Sequence, residues 1–490
     1  MHAPTLLRTP LLNDGVNDAV TKAATPSKSD SLATEQLIVL GALAAAAAGQ
    51  GGYYLGPRIL ITVALLAAGA LHCRRHYFRL RSPFVIAAAA LCCWAVVSAA
   101  LARHPGAALP TLSVLASFIV VAMIVGAAST PQRIRMAQTA IAIGAVLALT
   151  GWVGVAFRVS RWASPESGLW RATTTVTYTN AAAAVMAALA LVVLAMLVDR
   201  PSYAGRAAAM ILIVGVGATL SRAGIIGLAI GYGIVLVLLG VRRVVGATVG
   251  SVVGAAIAAG ALTRAMPVTH ASRPLVALLG LVVGLAIALA PPLRSPRATN
   301  VVVAALAVAI VGAAIGVGLA IHRNPSAVTA GWNERVSAAS PTRSEEAHAA
   351  LALIRAHPVA GVGPGQASFI WTTPAHRMLV DSYAHDEYLQ LTVEEGLVGA
   401  ALLLLLLVAI AVSVERGRRA VAGRSDDSRW LWVGGAVALV YLAGHSGFDF
   451  LWHVPVVILV AALSLGLCSP PPQDPVPPIP INQPTTTELP

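Results

Sequence analysis

The sequence predicts an all-α, polytopic integral membrane protein, and three observations carry that prediction. Of 490 residues, 57% are hydrophobic and only 11% charged, and the mean hydropathy is +0.79, well outside the range of water-soluble domains. The apolar residues form continuous Ala/Leu/Val runs, many near the roughly 20 residues that cross a hydrocarbon core of about 30 Å. Those runs lack the alternation of a membrane barrel, so helices are expected.

Fourteen runs follow one another, at 35–54, 57–72, 84–101, 109–128, 136–157, 176–198, 205–220, 223–240, 244–262, 275–290, 300–321, 394–414, 430–447 and 454–468. They predict about 12–14 transmembrane helices, residues 205–240 being readable also as one broken hairpin. Residues 1–34 mix Ser, Thr, Pro, Asp and Lys without periodicity or a signal-peptide pattern, as a disordered cytosolic tail does. Residues 469–490 are too rich in Pro to pack and read as a second disordered tail. Between the tails lie N-terminal transmembrane helices (35–321), one large external loop (322–384) and C-terminal transmembrane helices (385–468).

A net charge of +13 raises nucleic acid as a partner, but the arginines are scattered in pairs between apolar runs, so no nucleic-acid partner is expected. Topology explains them. Loops after even-numbered runs hold seventeen arginines and those after odd-numbered runs eight, leaving out the long loop. By the positive-inside rule both termini are cytosolic and the long loop faces outward. The four cysteines have no CxxC spacing and read as small hydrophobes rather than as a disulfide framework or zinc site.

With this topology, the ionisable residues divide by side. The outward side receives Arg171, Tyr178 and Asn180 (RATTTVTYTN), Ser221 and Arg222 (TLSRAG), the 322–384 loop, His385 to Glu395, and His445, Asp449 and His453 (HSGFDFLWH). The inward side receives mainly arginines. That sorting points to an enzyme or binding site opening to the exterior. Arg222 reads either as a snorkelling or capping arginine or as an anion clamp, since guanidinium offers fixed donors and stays charged. His385 reads either as an interfacial histidine satisfied by its neighbours or as a general base whose ring Asp386 and Glu387 orient or make more basic. Three consecutive residues rarely converge on one ion, so no metal site is expected there. GVGPGQ (361–366) lacks the Lys-Ser/Thr ending of a phosphate loop and reads as a turn. Upstream, Ala347, Leu351 and Ile354 in TRSEEAHAALALIRAHP have helical spacing, and HPVAGVGPGQ then breaks the helix.

Taken in order, these pieces resemble the O-antigen ligase family, which includes O-antigen polymerases and protein O-oligosaccharyltransferases. The signature is His385, Asp386, nine residues, Gly396, two residues and Gly399, with Arg343 through AALALIRAHPVAGVGPGQ upstream and TVTYTNAAAA, TLSRAG and HSGFDFLWHVP beside it. The resemblance spans roughly 170–460. Asp386 departs from it where Asn or a similar neutral residue is usual, and Ala347 stands where Trp is often found. The resemblance implies cell-surface polysaccharide biosynthesis at the outer face of the cytoplasmic membrane: a metal-independent, cofactor-free, inverting transfer of a glycan from a polyprenyl diphosphate carrier to an acceptor hydroxyl. The acceptor is a glycan, a lipid or a protein, and the motifs do not separate ligase from polymerase. His385 is then the base, and Arg222 and Arg343 neutralise the leaving diphosphate. Arg335, Arg171, Tyr178, Asn180, Asp386, Glu387, His445 and Asp449 bind substrate, while Glu394 and Glu395 have no assigned role. The other class, a transporter or flippase of a lipid-linked or anionic substrate, predicts internal repeats and mid-membrane charges. The runs show no repeat.

Overall fold

The computed structural model describes residues 31–75, 82–291, 297, 300, 301, 341–372, 378–424 and 427–470. Thirteen of the fourteen apolar runs are helices; the other, 300–321, lies outside the described residues apart from its first two. The helices are α1 (Thr34–Ala48), α2 (Leu55–Arg75), α3 (Pro83–Leu101), α4 (Leu109–Ala127), α5 (Thr130–Phe157), α6 (Thr179–Asp199), α7 (Tyr203–Thr219), α8 (Arg222–Leu239), α9 (Val241–Leu262) and α10 (Pro274–Leu289). After them come α11 (Pro341–Ala356), α12 (Glu387–Val421), α13 (Ser428–Ser446) and α14 (Pro455–Leu467). Among the described residues, eight helices are long and apolar enough to cross a membrane and four further apolar ones are shorter. The protein is an all-α polytopic membrane protein.

Helix α6 is the centre of the bundle. Its Ala-rich sequence is 94% buried over the spanning window, packed by α7, α8 and α13, because methyl side chains let neighbouring helices approach. Helices α9 and α10 meet more closely still. A Cβ on Gly254 would lie 2.2 Å from the carbonyl oxygen of Gly284, so only glycine permits this backbone contact. Residues 205–240 form two helices: Leu220 ends α7 in the left-handed region (φ 53°), and the Ser221 hydroxyl accepts from Gly224 N–H (3.3 Å) to start α8.

Helix α12 is broken at Gly396 (φ 69°, ψ −170°). A break in a spanning helix exposes polar backbone groups, which must find partners in protein because lipid supplies none. The segment 358–363 supplies most of them: Leu397 N–H donates to Pro358 O (2.8 Å), Val362 N–H to Val393 O (3.0 Å) and Gly363 N–H to Glu394 O (2.8 Å). From α3, the Trp94 indole N–H donates to Glu395 O (2.8 Å) and the Ser98 hydroxyl to Ala360 O (2.8 Å). The turn GVGPGQ is therefore a backbone splint for the broken helix. The approach is so close that a Cβ on Gly396 would lie 2.1 Å from Val359 O.

The structure departs from the sequence reading in several places. Two antiparallel hairpins join the helices, β1 (Ala163–Glu166) with β2 (Leu169–Ala172) and β3 (Phe369–Thr372) with β4 (Met378–Asp381). In α11 the buried positions are Glu346 and Ala350, whereas Leu351 is 40% exposed. The helix expected from the spacing of Ala347, Leu351 and Ile354 is present, and its buried face carries a carboxylate that meets a histidine, as shown below. Arg133, counted among the loop charges, lies inside α5, 3% exposed, donating to the carbonyls of Gly126, Ala128, Ser469 and Pro470. The disordered-tail assignments lie outside the described residues except for 31–34, 469 and 470, where α1 has already begun at Thr34.

Gly396→Ala forces a left-handed alanine against backbone and is expected to cost at least about 1–3 kcal/mol, while Gly56→Ala, where a Cβ meets nothing within 4 Å, leaves stability unchanged. Thermal unfolding of the two purified variants in detergent, followed by size-exclusion recovery, checks the difference.

Candidate active site

The site is built round the short connection between α13 and α14. Phe450 in that connection is sandwiched between two tyrosines, Tyr383 (ring centroids 4.3 Å, planes 14° apart) and Tyr178 (4.9 Å, 21°). Stacking of this kind fixes the orientation of all three rings. Next to it, the fully buried Asp449 carboxylate accepts from the Tyr178 hydroxyl and from the Asn180 amide, and from Phe450 N–H (2.8 Å). A buried carboxylate without such donors is costly. Tyr178 and Asn180 thus hold the loop in place, with Asp449 as its anchor.

His385 meets the same ring edge-on, 5.3 Å from the Phe450 centroid. Its Nδ1 lies 3.2 Å from Oε2 of Glu346, which is 3% exposed. The backbone around it is set from both sides. Gln390 accepts from Ala384 N–H (2.8 Å) and donates to Ser382 O (3.1 Å), and His385 adopts φ 45°. The residue after it, Asp386, caps α12 by accepting from the N–H groups of Tyr388 (2.9 Å) and Leu389 (3.1 Å). Burial lifts its carboxyl above the usual carboxylate range while those two N–H groups oppose the shift. Glu387 turns elsewhere, accepting from Trp452 N–H (2.9 Å) and pairing with His453 (3.1 Å). Burial disfavours charge on His453, but the Glu387 and Glu394 carboxylates outweigh it and raise its pKa. The expected tuners of His385 are therefore occupied with a helix terminus and another histidine. Glu346 takes that place.

The trio His385, Asp386 and Glu387 does not converge on a point, whereas Glu346, Asp381 and His385 present ligand atoms within 4.8 Å of one another. A divalent cation fits that spacing. The same atoms are also satisfied without one, Glu346 by His385 and Asp381 by Tyr383 N–H (3.1 Å).

The expected anion-binding residues fall into two groups. Arg171 is buried, donating through Nε to Thr219 O (2.8 Å) and pairing with Glu166. Because the Thr219 hydroxyl accepts from Ser221 N–H (3.1 Å), Arg171 braces the turn on which Arg222 stands rather than offering itself to a ligand. Arg222 occupies the exposed first position of α8, a helix start that packs against α6 at Ala183. Arg343 is in the first turn of α11, with its side chain outside the described residues, and Arg335 lies outside them altogether. His445 is buried inside α13, its Nδ1 2.9 Å from the Tyr441 hydroxyl.

Residues 207–404 match the model of the O-antigen ligase family. Over that segment the chain is similar to the O-antigen ligases. No curated protein matches the chain. The O-antigen ligase match runs from α7 into α12 and includes Arg222, His385, Asp386 and Glu387; it stops short of Tyr178 and Asp449, which the expected span of 170–460 covered. It supports a membrane glycan ligase or polymerase, a glycosyltransferase-like enzyme in a multi-pass membrane protein.

Outside the matched O-antigen ligase segment, α2 and the turn before it contribute residues that sequence reasoning passed over. The Tyr53 hydroxyl lies 2.8 Å from that of Tyr383, and Arg58 donates to His453 O (2.7 Å). Both line a cavity of about 500 Å³ beside the Phe450 cluster. Its polar end also holds Glu387, Gln390, Glu394 and His453, and its apolar end is walled by α4, α12, α13 and α14. Only an arginine or tyrosine beside a helix start signals such residues in sequence, and that pattern is common.

Asp386→Ala removes the cap and is expected to lower stability by about 0.5–2 kcal/mol, with Asp386→Asn close to wild type. The pH profile of activity is expected to keep its midpoint in Asp386→Asn and to shift in Glu346→Gln, and paired titrations of the two variants check this.

Proposed function

We propose that the protein transfers a glycan from a polyprenyl diphosphate carrier to an acceptor hydroxyl at the outer face of the cytoplasmic membrane. The observation that carries this reading is the His385–Glu346 contact inside the O-antigen ligase segment. A carboxylate on Nδ1 makes Nε2 the basic nitrogen, the arrangement a general base requires. In the proposed step the acceptor oxygen attacks the anomeric carbon while the bond from that carbon to the diphosphate oxygen breaks. The hydroxyl proton passes to His385 Nε2, and the electron pair leaves with the polyprenyl diphosphate. A single displacement of this kind inverts the anomeric centre.

Charge that grows on the diphosphate needs a fixed cation, and Arg222 and Arg343 are assigned that role. Diphosphate is a fair leaving group, so neither a general acid nor a metal is required. The excess of arginine in the even-numbered loops supports a site that opens outward and termini in the cytosol. The carrier's tail then stays in the bilayer while its head group reaches the helix ends.

His385→Ala is expected to lower transfer at least about 10²-fold, and Arg222→Ala to abolish it at unchanged protein abundance. Surface glycans of a deletion strain complemented with each variant, resolved by size, test both; full activity of Arg222→Ala sinks the clamp role. Accumulated single lipid-linked repeats mark a polymerase and accumulated long lipid-linked chains a ligase.

Exhaustive chelation of the purified enzyme is expected to leave transfer intact. Loss of activity restored by added divalent cation would instead assign Glu346, Asp381 and His385 to a metal.

A further inference from the structure

Beyond the reacting groups, the cavity beside Phe450 has a chemistry of its own. Along α12 its lining changes from polar to apolar: Glu387, Gln390, Glu394 and Glu395 precede the break, and Leu403, Leu406, Leu407 and Ile410 follow it. The four apolar positions run for two turns of helix, about 10 Å. At about 500 Å³ the space is of the size of small-molecule sites, roughly 300–1,000 Å³.

The polar end decides what fits. Glu387, Glu394 and Glu395 are 3%, 7% and 2% exposed, and Oε2 of Glu395 has no hydrogen-bond partner among the described residues. Glu395 lines the cavity, and a buried carboxylate oxygen without a partner is answered when a turn of the side chain brings it to a donor on the occupant. Glu387 is paired with His453, and Arg58 lines the same end, so acidic and basic groups stand together there and neither an anionic nor a cationic head is favoured. Donors stand beside the carboxylates: Arg58, whose Nε also has no partner among the described residues, and the Tyr53 and Tyr383 hydroxyls. An ammonium head offers donors only, and would leave these unanswered. A sugar hydroxyl is both donor and acceptor, and the aromatic rings suit the apolar faces of a pyranose.

We propose that this cavity binds an uncharged glycolipid, its sugar head among Glu395, Gln390, Arg58 and the tyrosines and its chain along Leu403 to Ile410. Tyr383, which lines the cavity, stacks on Phe450, and the Phe450 ring meets His385 edge-on. The seat is thus linked to the proposed base through Tyr383 and Phe450, while the diphosphate carrier belongs with Arg222. That this glycolipid is the acceptor rests on the transfer reading above; that it binds does not.

The test uses full-length protein purified in a non-glycosidic detergent and placed in phosphatidylcholine nanodiscs. The probe is dodecyl maltoside carrying a diazirine near the end of its chain. Crosslinks are expected on peptides containing Leu406 to Ile410 or Ile458, competed by unlabelled dodecyl maltoside and not by dodecyl phosphate or dodecylamine. Glu395→Gln is expected to weaken labelling about tenfold, and Ala461→Trp, which fills the apolar end, to abolish it. Labelling elsewhere, or equal or better competition by the amine or the phosphate, overturns the proposal. So does unchanged labelling in both variants. The wild-type competition series stands even where a variant fails to fold. Labelling that persists in a protein with no transfer activity rejects the transfer reading and keeps the site; transfer without labelling rejects the site alone.

Discussion

The structure depends on one backbone exchange, the hydrogen bonds between the broken helix α12 and the segment 358–363. A spanning helix cannot open in lipid unless each freed N–H and carbonyl is answered. Here Leu397, Val393 and Glu394 are answered by Pro358, Val362 and Gly363, and Glu395 by Trp94. Because segment 358–363 follows α11 directly, the exchange also fixes where α11 sits. It thereby brings Glu346 to His385.

A second consequence of the break is burial of charge. The short piece of α12 before Gly396 carries Glu387, Glu394 and Glu395 into the protein rather than into lipid, where single carboxylates are expensive. Each finds a different solution. Glu387 is matched by His453 and a backbone N–H, Glu394 by Gln390 (2.6 Å), and Glu395 has one oxygen that no described residue bonds. Two residues that carried no meaning in the sequence thus become, with Gln390, the polar end of a cavity.

The helices were legible because hydropathy over some 20 residues is a one-dimensional property. Much of the site was legible for a related reason: Tyr178, Asn180, His385 and Asp449 are polar residues at the ends of apolar runs, and the fold gathers those ends. Partnerships were less legible. Asp386 was read as a tuner of its neighbour, although Asp just before a helical run is also the ordinary N-cap signal, and the cap prevailed. Glu346 lies 39 residues from His385, and Tyr53 lies 330 residues from Tyr383. No spacing rule connects such pairs. The buried face of α11 has the same origin, since apolar spacing announces the helix and cannot foresee that Glu346 is drawn inward.

Different polar groups stand at the start of α8 and at the polar end of the α12 cavity, and the difference bears on how one helix bundle can receive two amphiphiles. A carrier with a diphosphate and a glycan with hydroxyls both bring apolar chains, so apolar surface cannot tell them apart. Their heads can be told apart by polar partners. Under the proposed function the Arg222 guanidinium at the start of α8 favours the anion, and the mixed donors and acceptors at the polar end of the cavity suit hydroxyls. Phe450, stacked between Tyr178 and Tyr383 and edge-on to His385, links the cavity lining to the candidate base. On that reading, discrimination between donor and acceptor arises from the polar groups at the helix ends, and the bilayer supplies only the common route of entry.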